Sequence, residues 1–282
     1  MNSTKKFPYT WHEAIEILRN DPTHKDLIFN SYLSKDLIDN AKRFTTSGEF
    51  QEVLKIIRKF KPNAKKIMDM PGGNGIATYA FASSGFEVTA VEPDSSGDVG
   101  RGAIDFVLQQ SKLKATITEA YGENLPFEDS SFDVIYVRQG LHHAANLKKM
   151  LLEINRVLAP NGILIATREH VVDNYNESLE NFLNSQVDHL LYGGENAFML
   201  NDYVSAIKES GLSIIDVIKP YSSIINLFPS SVEELNTKIL SSLFGKFLSL
   251  FLPKKYVINI GLWYLNRKNT PGRLYSFIVK KS

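Results

Sequence analysis

Apolar and polar positions change their periodicity along this chain, and the changes divide it into segments. Through residues 1–64 the apolar positions recur at helical spacing. Phe50, Val53, Leu54, Ile56, Ile57 and Phe60 make one stripe, which Pro62 and Asn63 end. From residue 66 onward, short apolar runs alternate with helical segments. Lys66-Ile67-Met68 leads through Met70 into Pro-Gly-Gly-Asn-Gly (71–75) and a helix to Ser84, and Phe86 to Val91 alternates as a strand. A helix over 97–111 precedes strands at 115–119 and 132–138. Leu147, Met150, Leu151, Ile154 and Leu158 share a helical face closed by Pro160-Asn161-Gly162. Ile163 to Thr167 is continuously apolar, as a strand covered on both faces requires. This alternation predicts a parallel α/β sheet. Asn201 is the expected N-cap of a helix ending at Gly211, with a strand over 212–218 after it. Residues 221–270 then interrupt the pattern with two or three apolar helices, before Thr270-Pro271-Gly272 turns into a last strand, Arg273 to Lys280.

Composition narrows the classes. At 282 residues, 43% hydrophobic and 22% charged, the chain reads as a soluble globular protein of one large domain with appendages. The absence of cysteine excludes disulfides, thiolate metal sites and a cysteine nucleophile. No run reaches the roughly 18 apolar residues of a spanning helix, and the start carries no continuous apolar signal segment, so the expected location is cytoplasmic. The net charge of +1 hides an asymmetry: Leu235 to Ser282 holds nine Lys/Arg and no Asp/Glu, while the other 234 residues hold 23 basic and 31 acidic side chains. The basic end implies either a solvated face or an anionic partner.

A strand ending in Asp69 that runs through glycines into a helix outlines a nucleotide-type cofactor site, because glycines allow close backbone approach and a helix N-terminus favours anions. A dinucleotide fingerprint would want glycine at the positions held by Pro71, Gly73 and Ile76, and only Gly73 meets it. Asn74-Gly75-Ile76 lacks the lysine of a phosphate-binding loop. IMDMPGGNG (67–75) instead resembles the first motif of the class I S-adenosylmethionine-dependent methyltransferases, with Pro71 where the family usually has a glycine. Further likenesses follow in the family's order. Glu92 ends the second strand 17 residues after Gly75, where the family's acidic residue holds the ribose hydroxyls. Gly122-Glu123-Asn124-Leu125-Pro126-Phe127 resembles its adenine-side turn, with Tyr121 where an aspartate is common, and Ser131-Phe132-Asp133-Val134 opens the fourth strand. Arg156-Val157-Leu158-Ala159-Pro160-Asn161-Gly162 is similar to its stretch before the fifth strand.

The resemblance covers about 65–220 plus the last strand. It implies a Rossmann-like, mostly parallel sheet of seven strands (65–220 and 271–282), capped by N-terminal helices (1–64), with an insertion at 171–200 and a helical lid at 221–270. It implies S-adenosylmethionine as cofactor, held by Asp69, Pro71, Gly72, Gly73, Asn74, Gly75, Glu92, Gly122, Glu123, Arg138 and Gln139. Asp69 and Glu92 are also placed to cap the helices that follow them, and Glu123 to hold a turn.

Methyl transfer is an in-line displacement, so positioning dominates, and a hydroxyl acceptor gains from a base near neutral pKa. Arg138-Gln139-Gly140-Leu141-His142-His143 follows the fourth strand, and one of His142 and His143 is the candidate base. Beyond the fifth strand, Glu169, His170, Tyr192 and Glu195 are candidate substrate contacts. The expected acceptor is a small molecule or glycan methylated at oxygen, faintly as in bacterial surface-polysaccharide methyltransferases. N- or C-methylation of a metabolite and cofactor binding without turnover are the alternatives. A divalent metal among His142, His143, His170, Glu169 and Asp188 lacks a recognisable ligand motif, so no metal is expected. An acidic catalytic body without the Asn/Asp-Pro-Pro-Tyr/Phe loop argues against nucleic acid. A 14-residue apolar-faced helix over 239–252 suits a buried lid or peripheral contact with an anionic membrane.

Overall fold

The computed structural model describes residues 9–281; the first eight residues of the expected cap, and Ser282, lie outside them. Four helices come first: α1 (Trp11–Asn20), α2 (Lys25–Asn30), α3 (Leu37–Thr46) and α4 (Gly48–Phe60). The alternating region follows as β1 (Lys66–Asp69), α5 (Ile76–Ser83), β2 (Glu87–Val91), α6 (Arg101–Ser111), β3 (Thr116–Thr118), β4 (Phe132–Arg138), α7 (Leu147–Val157) and β5 (Leu158–Val172). Next come α8 (Glu177–Leu183), α9 (Val187–Tyr192), β6 (Phe198–Met199), α10 (Leu200–Glu209) and β7 (Leu212–Ile218). The chain closes with α11 (Ile224–Leu227), α12 (Val232–Ser241), α13 (Leu243–Leu248), α14 (Lys254–Leu265) and β8 (Arg273–Lys281).

The strands form one sheet in the order β3-β2-β1-β4-β5-β8-β7, with the two-residue β6 paired to β5 outside that path. Neighbours from β3 to β5 are parallel, and β8 runs antiparallel to both β5 and β7. This is the mostly parallel Rossmann-like sheet expected, with β6 as an eighth member. Alternate side chains serve opposite faces. Met68, Ile135, Val137 and Leu164 pack with α7 and α10, while Ile67, Val134, Tyr136 and Ile165 pack with α3, α4 and α5.

Three local expectations need correction. β5 does not stop at Thr167: after a bulge at Arg168, whose φ of 61° is left-handed, Glu169, His170 and Val171 pair with Tyr275, Leu274 and Arg273 of β8. Asn201 does not cap α10, because β6 keeps the backbone extended through Met199, which takes the cap position. The 239–252 helix is broken at Ser242, which is extended (ψ 156°) and accepts the Gly245 amide as the N-cap of α13. Nor is its apolar face buried, since Leu243, Phe247 and Phe251 are 89%, 62% and 70% exposed.

The N-terminal helices are tied to the sheet by charge as well as by packing. Glu49, fully buried on α4, accepts two hydrogen bonds from Arg138 at the end of β4, at 2.7 and 3.2 Å. Arg138 also lies over the Tyr32 and Phe44 rings. Removing one partner of a buried pair strands the other, at about 3–5 kcal/mol. Glu49→Ala should therefore lower the denaturant-unfolding free energy by about that amount. A loss under about 1 kcal/mol would mean that the helices dock by their apolar faces alone.

Candidate functional site

The carboxyl ends of β1, β2 and β4 open onto one cleft, as the topology of an open α/β sheet dictates. It contains a niche of about 100 Å³ lined by Met70, Pro71, Tyr121, Gly122, Glu123, Gly140, His143 and Met150, among others. Gly140 is required here, because a Cβ on it would collide with Pro71 Cδ. The Gly73 amide donates to Glu92 Oε2 at 2.7 Å and the Asp94 amide to Oε1 at 2.9 Å, so Glu92 already shapes the loop it faces. Asp69 accepts the Thr78 hydroxyl on Oδ2 at 2.6 Å, and its Oδ1 is buried with no partner among the described residues. Neither acid caps a helix: α5 starts at Gly75 and α6 at Gly100, without side-chain caps.

Burial pushes both carboxyls up to about 7. For Asp69 it outweighs the Thr78 bond, and for Glu92 it outweighs the Asp94 and Gly73 amides. A ligand bringing positive charge and hydroxyl donors would stabilise their ionised forms. S-adenosylmethionine, with its sulfonium, ammonium and ribose, meets that demand, and the orphaned Asp69 oxygen is an acceptor such a group would use.

The other candidates separate into those that reach the cleft and those that do not. Asn74 donates its side-chain amide to Tyr32 O at 2.6 Å, leaving its backbone for a ligand. Arg138 is committed to Glu49, and Gln139 Oε1 accepts from Arg138 Nη1 at 3.0 Å, so neither side chain lines the niche. Glu123 lines it but accepts the Asn146 amide at 3.2 Å, holding the turn before α7. Glu169 and His170 are not free substrate contacts, because the extended β5 places them inside the sheet. Glu169 accepts the amides of Gly140, Leu141 and His142, and His170 Nδ1 bonds Gly272 O at 2.9 Å, with burial first among the causes that lower it to about 3.

The two histidines meet opposite environments. His142 is buried, with Nδ1 2.7 Å from Glu169 and Nε2 3.3 Å from Glu195. The second approach is an ion pair without hydrogen-bond alignment, which leaves Glu195 Oε2 unpaired. Burial opposes charge on His142, yet the two carboxylates raise it to about 9. It is an imidazolium near neutrality. Glu195 moves the other way: burial would raise it, but the contact with His142 outweighs burial and holds the carboxyl down to about 2. His143 has a 38% exposed side chain, lines the niche and bonds Gly194 O through Nδ1 at 3.1 Å. Burial and the neighbouring His142 charge lower its pKa. Tyr192, partly exposed, packs obliquely on Trp11 of α1 with ring centroids 5.3 Å apart, and burial first, then the charges of Asp94, Glu195 and Glu92, raise its hydroxyl's pKa.

His142, His143 and Glu195 are a set whose ligand atoms lie within 4.8 Å of one another. A tetrahedral ion with bonds of about 2.0–2.2 Å needs donors about 3.4 Å apart. Two of its separations, 3.3 Å from His142 Nε2 and 3.8 Å from His143 Nε2 to Glu195, are near that spacing, and the set is balanced as charges without an ion. The residues that sequence reasoning missed are Gly140, Met150 and Glu49. Only Glu49 left a signal, as an acid next to the apolar stripe of α4.

Residues 68–166 match the methyltransferase domain family. Over 110 residues the chain is 34% identical to a ubiquinone/menaquinone biosynthesis C-methyltransferase, UbiE, of Rhizobium etli, covering 38% of this chain and 43% of that one. The curated relatives it matches are spanned over only 18% to 52% of their length. Among solved structures, geranyl diphosphate methyltransferase bound to S-adenosylmethionine aligns with a TM-score of 0.58 at 13% identity, covering 98% of this chain and 97% of that one. The [4+2]-cyclase SpnF aligns at 0.55 and 15%, covering 84% of each. These two share the fold.

If Glu92 holds ribose hydroxyls by charge-assisted bonds worth about 1.5–3 kcal/mol, Glu92→Ala should weaken S-adenosylmethionine binding about 10–150-fold by calorimetry. An unchanged dissociation constant would place the ribose elsewhere.

Proposed function

Residues 68–166 match a methyltransferase domain, and from that premise we propose that the chain is a class I S-adenosylmethionine-dependent methyltransferase that methylates an oxygen of a small or glycan-like acceptor with His143 as the general base. The cofactor supplies an electrophilic methyl group when bound, and the protein's residues position the acceptor and manage its proton. The observation that carries the reading is the contrast between the two histidines. His142 is a buried cation between Glu169 and Glu195. His143 is kept neutral and faces the niche; its Nδ1 donates to Gly194 O, so the lone pair lies on Nε2. Nε2 accepts the acceptor's proton, and Glu195, 3.8 Å from it, stabilises the imidazolium that forms. Tyr192 and Glu195 border the acceptor's place.

Carbon methylation is the second reading, supported by the identity to a C-methyltransferase. In either case residues 1–64 act as a cap, 65–220 with 271–282 as the catalytic core carrying an insertion at 171–200, and 221–270 as a lid. No helix among the described residues is long and apolar enough to cross a membrane. The exposed apolar side chains of α13 and α14 lie in a segment with nine cations and no acid, a combination suited to an anionic membrane surface.

Two experiments test these readings. His143→Ala should lower turnover about 100-fold or more with cofactor affinity intact. Because only the neutral base works and its pKa lies below the usual 6.5, the wild-type rate should hold at pH 7 and fall on acidification below that value. Full activity in the variant would remove the base and favour positioning alone. Separately, the protein should co-sediment with anionic vesicles at low salt and leave them at high salt or when the vesicles are neutral. Its remaining in the supernatant with anionic vesicles at low salt would restrict 221–270 to a lid.

A further inference from the structure

The helices of the 221–270 insertion line a cavity of about 760 Å³ that is open to solvent on one side, within the range of about 300–1,000 Å³ typical of small-molecule sites. Leu227 of α11, Leu235 and Ile239 of α12, Phe244 of α13 and Leu265 of α14 supply its apolar walls. The space does not follow from loose docking of the helices. At Gly261 the backbone of α14 lies so close to Ile239 that a Cβ would come within 2.5 Å of Ile239 Cγ2. α12 and α14 are in contact there, so the cavity beside them does not close by their approach.

The polar groups around the cavity are largely engaged. Asn226 donates to the carbonyls of Ile218 and Lys219 and accepts the Ser276 hydroxyl. Ser242 donates to Ile239 O and accepts the Gly245 amide. What remains for a ligand is a mainly apolar surface, the hydroxyls of Tyr221, Ser230 and Tyr264, and one cation. Lys238 lines the cavity, and among the described residues no carboxylate lies within ion-pair distance of it. Glu234, one turn earlier on α12, is engaged with Ser231 in the capping box, and the sequence offers no acid from Leu235 onward.

We propose that this cavity is a binding site for one linear hydrocarbon chain ending in an anionic group, with the chain between α12 and α14 and the head at Lys238. A ligand polar along its whole length would leave most of its donors and acceptors unpaired, since only the Tyr221, Ser230 and Tyr264 hydroxyls and Lys238 interrupt the apolar walls. A hydrocarbon fills them, and a phosphate or carboxylate head answers the unpaired ammonium. The site is separate from the methyl-transfer niche and does not depend on which atom is methylated. It adds to the membrane reading a reason for an amphiphile to be drawn from a bilayer into the insertion.

The test titrates dodecyl phosphate, dodecanoate and dodecyl maltoside, each below its micelle concentration, into the full-length protein, followed by calorimetry and by displacement of a dansylated undecanoic acid. Saturable binding of one equivalent is expected for both anions, with the maltoside at least tenfold weaker. Lys238→Glu should weaken the anions at least tenfold and leave the maltoside unchanged. Leu227→Trp and Leu265→Trp, which fill the cavity, should abolish binding of all three with S-adenosylmethionine affinity and melting temperature retained. The ratio of phosphate to carboxylate affinity identifies the head preferred. Non-saturable uptake, or equal anion binding by wild type and Lys238→Glu, would overturn the proposal. So would retained binding in folded tryptophan variants; if those variants fail to fold, Lys238→Glu alone decides.

Discussion

The Glu169 carboxylate accepts the amides of Gly140, Leu141 and His142 and the Nδ1 proton of His142, four bonds between 2.7 and 3.2 Å onto one short stretch of chain. That stretch is the return from β4 toward α7, and its position sets the rest of the cleft. It brings Gly140 against Pro71, so the turn after β1 and the turn after β4 form one wall. It buries the His142 ring, which leaves the next residue, His143, facing outward. A buried carboxylate is costly unless its lone pairs are filled, and filling them with three amides and an imidazolium fixes the loop's conformation. The bulge at Arg168 makes this possible by turning β5 so that Glu169 points under the loop while still pairing with β8.

From this arrangement the difference between two adjacent histidines follows as electrostatics. His142 has a carboxylate at each ring nitrogen and keeps its proton. His143 sits beside that positive charge, partly buried, with a backbone carbonyl as its partner, and gives its proton up more readily than a free histidine. Glu195 ties the two together, held anionic by the first and within reach of the second. His170, edge-on against His142 at 4.8 Å, stays neutral chiefly through burial, with the His142 charge adding to it. Sequence adjacency therefore says little about proton affinity, whereas the identity of the atoms around each ring says a great deal.

How much of this the sequence discloses depends on whether a feature is local. The turn from Asp69 through Gly75, the acid ending β2 and the alternation of strands and helices are written in short contiguous stretches, and the sheet follows from them. The features that escaped are those set by partners distant in sequence. The length of β5 depends on β8, a hundred residues later, so Glu169 and His170 read as a loop when they are strand. Arg138 reads as a cleft residue because Glu49, its partner, lies 89 positions away. The break at Ser242 competes with an amphipathic pattern that runs on through it, and only the capping bond to Gly245 shows why the helix restarts there. Fold is legible where periodicity carries it; side-chain pairing is not.

The core and the insertion resolve the same physical problem differently. Around the sheet, apolar stripes find opposing stripes, and the two faces bury Met68, Ile135, Ile67 and Val134 completely. In α12 to α14 the inner positions, Leu235, Ile239 and Val257, are buried, while Leu243, Phe247, Leu250 and Phe251 remain in solvent. Such exposure in a stretch that has no acidic side chain after Glu234 is not what a face selected only for solubility would show, since acids are the simplest remedy for exposed apolar surface. Cations beside apolar side chains are compatible with water and with an anionic interface, and they disfavour cationic surfaces. The same logic holds inside the insertion, where the one charged wall residue is a lysine with no acid facing it. Inside and outside, the segment combines apolar surface with unneutralised positive charge, and the partner that satisfies both at once is an amphiphile with an acidic head.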